Sequence, residues 1–356
     1  MLLGQNRAHD QAASAHGRGM MRSADVVVLG LGPAGAAAAA EAARRGCKVI
    51  ALDRKRAPGL PVQCAELVPQ LVEVRPDVIR QRIDSMAMFV EDDAPDLKRG
   101  FPGHMLDRAA FDASLVEEAV RAGADVRLSS FIRKVTGNGV VELADGSTLS
   151  ARVIVGADGP RSRAGKAIDA VNDELVETRQ ITAALREPYA ASDIFLSAEI
   201  PGGYGWLFPK GDLANLGAGV SPQYKARLKS IVARLHASQL GRICADILNL
   251  TGGAIPVGGM LKPWGVLQHT VVLLAGDAAG LANPVTGAGI AAAVHSGRLA
   301  GQAAANGKFE QYEEELEDVY RAALERALQR RRELMRSNLD KKQLRRGWIA
   351  YPEYWQ

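Results

Sequence analysis

A strand, a glycine-rich turn and a helix near the N-terminus constrain this chain more than any other feature. Asp25 to Leu29 is a short apolar run rich in β-branched residues, the pattern of a parallel strand buried on both faces. It leads into Gly30-Leu31-Gly32-Pro33-Ala34-Gly35. Ala34 to Arg45 then holds strong helix formers, with Gly46 as a stop, and Cys47 to Leu52 reads as a second strand. The three pieces have the length of a right-handed crossover. In such a turn Gly30 permits the tight bend, Gly32 lets the backbone approach a pyrophosphate, and Gly35 lets helix and strand pack closely. The helix start adds a partial positive charge. Asp53, at the end of the second strand, is placed to accept both ribose hydroxyls and would repel a 2′-phosphate. An adenine dinucleotide site is expected.

Two later signals narrow the dinucleotide to FAD. Gly276-Asp277 follows an apolar strand, and Pro284-Val285-Thr286-Gly287-Ala288-Gly289-Ile290 opens a long alanine-rich helix over 287–305. Asp277 can hold a ribityl or pyrophosphate-side hydroxyl through a charge-assisted hydrogen bond. The amides of Gly289 and Ile290 would face the edge of a flavin where negative charge develops on reduction. Between these segments lies Gly156-Ala157-Asp158-Gly159-Pro160-Arg161, a strand followed by an acid–glycine turn. The pairs Gly137-Asn138-Gly139 and Gly217-Ala218-Gly219 lack both the helix and the acid of a second dinucleotide motif. NAD(P)H, or another external donor, is therefore expected to visit the flavin directly.

Composition removes several other classes. A net charge of +4 and 5% aromatic residues offer no base-stacking platform for nucleic acid. Cys47, Cys64 and Cys244 have neither disulfide nor zinc spacing, and the six histidines form no metal constellation. With no apolar run long enough to span a bilayer, a cytoplasmic enzyme is expected. Residues 1–21 read as a disordered leader, with Met20 and Met21 as possible translation starts. Helices are predicted over Met105–Gly123 and roughly 222–248, the latter including Cys244. Strands are predicted over Asp125–Val135, Val140–Leu149 and Val153–Gly156, and antiparallel sheet over about 179–220.

Further strings narrow the family. Pro201-Gly202-Gly203-Tyr204-Gly205-Trp206-Leu207-Phe208-Pro209-Lys210 resembles the PxxYxWxFPK signature of the geranylgeranyl reductase family. Gly252-Gly253-Ala254-Ile255-Pro256-Val257-Gly258-Gly259 resembles its later glycine–proline segment. The three earlier motifs resemble the wider p-hydroxybenzoate hydroxylase-like flavoproteins. The resemblance covers about 24–305. It implies an α/β chain with a discontinuous Rossmann-like FAD-binding domain built from 22–75, 101–178 and 266–308. A smaller antiparallel-sheet substrate domain is implied from 76–100 and 179–265, with C-terminal helices over 309–356. It also implies FAD contacts at Ala34, Cys64, Ala65, Leu67, Arg108, Ile132, Asp277, Gly289 and Ile290, where Leu67 stands in place of the usual glycine. Arg108 is expected to pair with the pyrophosphate. Tyr204, Trp206 and Phe208 alternate, so on a strand they face one side as an apolar wall for substrate. Cys64 and Tyr204 are the candidate proton donors, with the choice between them open.

The activity implied is transfer of hydride from reduced flavin to an isoprenoid-like C=C bond. Two rivals remain at this stage. After Gly289 the chain is short and charge-rich: 310–318 holds six acidic residues, and 321–346 holds ten basic against three acidic. Such a surface suits an electron-transfer flavoprotein docking an acidic redox partner, or a peripheral contact with the inner membrane. The other rival is an aromatic hydroxylase. The aromatic ending Trp348 to Trp355 is expected to fold back as a lid or to serve as a contact.

Overall fold

The computed structural model describes residues 23–70, 74–336 and 339–356; the expected leader over 1–21 lies outside them. In chain order the elements are β1 (Ala24–Leu29), α1 (Pro33–Arg44), β2 (Val49–Leu52), β3 (Leu67–Pro69), β4 (Ile79–Val90), β5 (Asp96–Leu106), α2 (Arg108–Arg121), β6 (Asp125–Arg127), β7 (Ile132–Val135), β8 (Val140–Leu143) and β9 (Thr148–Gly156). They continue with α3 (Arg163–Ala167), β10 (Leu175–Ala184), β11 (Ala191–Leu196), β12 (Gly205–Lys210), β13 (Leu213–Val220), α4 (Leu228–Ser238), β14 (Asn249–Thr251) and β15 (Ala254–Pro256). The last are β16 (Trp264–Leu267), β17 (Thr270–Leu274), α5 (Ile290–Asn306), α6 (Phe309–Leu316), α7 (Ala322–Arg336) and α8 (Lys341–Arg346).

The first sheet has a parallel centre in the order β17-β9-β1-β2-β6, with β16 antiparallel at one edge and a β7-β8-β9 meander beside it. Val26 to Leu29 are fully buried, as the unbroken apolar run requires. Helix α1 is almost all alanine because it is enclosed between this sheet and α5. The α1–α5 crossing is close enough to exclude side chains: a Cβ on Gly297 would stand 2.1 Å from the Ala34 carbonyl oxygen, and one on Gly301 2.5 Å from that of Ala38.

The second sheet runs β14-β10-β13-β12-β11-β4-β5-β3, with β15 also on β10. Its β10–β13 and β11–β12–β13 pairings are antiparallel as predicted, but β4 and β11 pair in parallel. The chain between them runs through β6–β9 of the first sheet, so no hairpin dictates their direction. β3 and the 101–106 end of β5 also pair in this sheet, although the expected division assigns both to the FAD-binding unit.

Other predicted boundaries move for local reasons. Met105 and Leu106 finish β5 rather than begin a helix, because Asp107 caps α2 by accepting from the Ala110 amide at 3.0 Å. The helix predicted to 248 stops at Ser238. Beyond it Ile243 bridges Leu185, and the carbonyl of Cys244 meets His236 Nε2 at 3.0 Å, so Cys244 lies outside any helix.

The C-terminal segment folds back onto the second sheet. Leu344, Trp348 and Tyr351 are buried against Met88, Ile194 and Trp206. Its basic residues are largely paired within the chain: Lys341 and Arg345 with Asp93 at 2.7 Å each, Arg332 with Glu174 at 2.6 Å, and Arg330 with Glu333 at 2.9 Å. Among the described residues, no helix is long and apolar enough to cross a membrane.

The α1–α5 contact yields a stability test. Gly297→Val must push backbone from backbone and is expected to cost about 2 kcal/mol or more, whereas Gly241→Ala, which meets nothing within 4 Å, should cost little. Equal denaturant midpoints for the two variants would refute the close-contact account.

Candidate active site

The site lies at the carboxyl ends of β1, β9 and β17, where parallel strands of an α/β sheet deliver their loops. Gly30 has φ +90, with the Ala157–Asp158 backbone packed directly against it. Asp53 fixes this turn: its Oδ2 accepts from the Leu31 amide at 2.7 Å and its Oδ1 from the Lys55 amide at 2.8 Å. A Cβ on Gly32 would meet nothing within 4 Å, so the α1 N-terminus opens onto a cradle of the kind a pyrophosphate fills.

Arg108 and Asp277 carry the opposed charges of this cradle. Arg108 opens α2, is largely buried, and its Nε and Nη2 donate to Asp112 at 3.1 and 3.2 Å. Burial alone would lower the guanidinium, but the neighbouring Cys64 and Asp112 more than offset it and raise it above its ordinary value. Burial pushes the Asp277 carboxyl up to about 6, against the pull of Arg108. A Cβ on Gly289 would stand 3.3 Å from Asp277 Oδ1, so the acid and the start of α5 converge. The amides of Gly289 and Ile290 there have no intrahelical acceptor. Asn283 shapes the preceding loop by accepting from the Val285 and Thr286 amides at 3.0 Å, and Gly287 turns it with φ +70. This donor set fits FAD: the helix start and Arg108 for the pyrophosphate, Asp277 for a hydroxyl, and Gly289 with Ile290 for a polar ring edge.

Asp158 stands beside Gly30, but both carboxylate oxygens are taken, by Ser162 Oγ at 2.5 Å and the Arg163 amide at 2.6 Å. It caps α3. Ile132 lies on β7, partly buried against the first core.

The loop carrying Cys64, Ala65 and Leu67 bridges the two sheets. Cys64 Sγ accepts from the Glu66 amide at 3.2 Å, and its carbonyl accepts from Gln180 Nε2 at 3.1 Å. Ala65 and Leu67 pack with the aromatic cluster. Glu66 adopts φ +70, a strained value for a residue with a side chain. Its Oε2 receives Lys210 Nζ at 2.7 Å and Asn215 Nδ2 at 2.8 Å, and its Oε1 receives the Arg108 amide at 3.2 Å. Reading the sequence missed Glu66, Gln180 and Asn215 and gave Lys210 no role. For Gln180 and Asn215 the available signal was a polar residue at a strand position.

The aromatic string divides in two. Tyr204 and Trp206 line a cavity of about 30 Å³ together with Ile255, Val285 and Thr286, whereas Phe208 is core and lines none of it. Trp206 Nε1 donates to Gln180 Oε1 at 3.0 Å. The Tyr204 hydroxyl donates to the Thr286 carbonyl at 2.6 Å, which joins the aromatic wall to the Pro284–Gly287 loop. Burial raises the Tyr204 phenol well above its ordinary value, so it keeps its proton.

Residues 25–174 match the family described as lycopene cyclase protein, and 176–255 match the geranylgeranyl reductase catalytic domain. The chain is 33% identical over 342 residues to digeranylgeranylglycerophospholipid reductase 1 of Methanopyrus kandleri, covering 85% of this chain and 89% of that one. The chain belongs to the geranylgeranyl reductase family. The corresponding reductase of Methanosarcina acetivorans is 31% identical to this family member over 327 residues, covering 83% of this chain and 79% of its own. Among solved structures, a geranylgeranyl bacteriochlorophyll reductase-like protein from Thermoplasma acidophilum superposes with TM-score 0.78 at 25% identity, covering 90% of this chain and 89% of that one. The fold extends to a probable FAD-dependent monooxygenase of Pseudomonas aeruginosa, with TM-score 0.66 at 18% identity over 90% of this chain and 98% of that one. This family member is accordingly an oxidoreductase of the flavoprotein fold.

Two measurements probe the site. The folded chain favours protonated Asp277, so its penalty is absent below the ordinary value of 3.8, grows as pH rises to about 6, and is constant above. Asp277→Asn should therefore stabilise the apoprotein at pH 8 by on the order of 2 kcal/mol, lose that advantage by pH 4, and weaken FAD retention. A pH-independent effect would contradict this. Lys210→Met leaves the Glu66 carboxylate buried without its cation and should cost about 3 kcal/mol. Adding Glu66→Gln should recover part of that loss in a denaturant double-mutant cycle; strictly additive losses would show the pair uncoupled.

Proposed function

We propose that this family member saturates carbon–carbon double bonds of an isoprenoid, using FAD that NAD(P)H or another external donor reduces directly. The observation that carries the reading is the cavity between Tyr204, Trp206 and the Pro284–Gly287 loop, an apolar space bordering the loop that leads into the flavin cradle. When bound and reduced, FAD supplies the hydride. The wall orients an apolar chain, and the C-terminal segment behind it, where Trp348 meets Tyr204 at 4.7 Å between ring centroids, keeps water from that side.

The second alkene carbon needs a proton. Tyr204 directs its hydroxyl at the Thr286 carbonyl, which leaves Cys64 Sγ as the better-placed donor. As the thiol proton moves to carbon, the charge left on sulfur meets the Glu66 amide and the Arg108 guanidinium. The three cysteines are free thiols, in keeping with a reducing, cytoplasmic setting. The internal pairing of the C-terminal basic residues argues against an acidic redox partner or an anionic membrane as their main role.

Stopped-flow mixing of anaerobically reduced holoprotein with geranylgeranyl lipids should give prompt flavin reoxidation and a saturated product. Silence toward every isoprenoid, with rapid oxidation of NAD(P)H, would overturn the reading. Cys64→Ala should slow that single turnover about 100-fold or more while FAD content is retained; an unchanged rate would make the thiol structural.

A further inference from the structure

Arg331 is the buried cation of the C-terminal segment that has no acid to balance it. It sits on α7 and is 8% exposed. Its Nη1 donates to the Gly202 carbonyl at 2.7 Å and its Nη2 reaches Ser221 Oγ at 3.4 Å, both neutral acceptors. Glu174, the acid that acts on it from a distance, is bonded to its neighbour Arg332. Among the described residues no carboxylate lies within ion-pair distance of Arg331, whereas Arg330, Arg332, Lys341 and Arg345 all have one. Burial lowers the guanidinium to about 10, still charged at neutral pH.

Its position gives this charge a direction. Arg331, Gly203 and Val285 line both the inner cavity beside Tyr204 and a second one of about 50 Å³. The second cavity is walled by Leu196, Ile200, Leu334, Leu344 and Trp348. Arg331 thus stands at the junction of two apolar spaces, one of which borders the Pro284–Gly287 loop that leads into the flavin cradle. An uncompensated guanidinium in such surroundings is costly unless a ligand brings the opposite charge, and a planar fork suits an oxyanion.

We propose that Arg331 is the counter-charge for a monoanionic oxyacid head, a phosphodiester or a carboxylate, on the isoprenoid substrate. One cation balances one negative charge. No second basic residue lines either cavity, so a diphosphate would bring charge that stays unpaired. With the head at Arg331, the chain runs past Tyr204 along the Pro284–Gly287 loop. The inference rests on the isoprenoid reading above.

The test measures equilibrium binding to oxidised holoprotein by tryptophan fluorescence, and separately flavin reoxidation by the same compounds. The probes are geranylgeraniol, geranylgeranoic acid, a geranylgeranyl phosphodiester lipid and geranylgeranyl diphosphate. At least one monoanion should bind about tenfold or more tightly than the alcohol; which one does identifies the head. Arg331→Gln should bring that ratio to about one, and Arg331→Lys should restore part of it. A merely structural arginine would weaken alcohol and anion alike and leave the ratio unchanged. Equal binding of alcohol and monoanions by the unmodified protein, or tightest binding of the diphosphate, would overturn the subsite without needing either variant to fold. A monoanion preference without flavin reoxidation would keep the subsite and overturn the reductase reading. Failure of every isoprenoid to bind would overturn both.

Discussion

The Glu66 carboxylate is the contact on which the two halves of this structure depend. It receives Lys210 and Asn215 from the second sheet and the first amide of α2 from the other side, so one buried side chain joins β12, β13 and α2. A carboxylate at 5% exposure survives only when its charge and lone pairs are met, and each partner here meets one of them. The contact also compensates the strained backbone at Glu66. Because the Glu66 amide holds Cys64 Sγ, the same network sets where the thiol stands relative to Tyr204 and Arg108.

Charge in the cradle follows a related logic with a different outcome. Arg108 is shared between Asp112, which it pairs directly, and Asp277, which it influences without a hydrogen bond. Asp277 therefore remains partly unsatisfied, destabilising for the bare fold and favourable for a ligand hydroxyl. Stability and binding pull this residue in opposite directions, as is common at sites kept ready for a ligand.

How much of this was legible in the sequence depends on whether a residue's role is local. The β1–α1–β2 unit was legible because its turn needs glycine at Gly30 and small residues along the helix, constraints satisfied within thirty residues. Asp277 was read from the acid that follows an apolar strand, Arg108 and Cys64 were reached through resemblance, and the structure brings the three together at one cradle. Asp158 was read only as the acid of a strand-to-turn pattern; the structure sets it beside Gly30 with its carboxylate on Ser162 and the Arg163 amide, a hydrogen-bonding choice that the acid–glycine pattern does not encode. Glu66, Gln180, Lys210 and Asn215 were missed for the opposite reason. Their contacts with one another and with Cys64 span more than a hundred residues, and nothing adjacent to a lysine or an asparagine says which distant strand it will face. Met105 and Leu106 were drawn into a helix by the periodicity of the following residues, where the Asp107 cap decides the boundary.

The C-terminal segment shows how covering and chemistry are coupled. Trp348 and Tyr351 bury the outer side of the aromatic wall, so Tyr204 is enclosed between that segment and the Thr286 carbonyl. Enclosure keeps its phenol protonated. The ion pairs at Asp93 and Glu174 anchor α8 and α7 at the rim, where solvent screens them and each contributes little alone. Their effect is to hold α7 at the distance that puts Arg331 over Gly202. The segment that shields the apolar wall is thus also the one that brings a charge to its edge. An apolar wall alone would accept any chain of suitable width; with a guanidinium at the junction, one end of that chain is distinguished from the other, and so is the double bond that reaches the cradle.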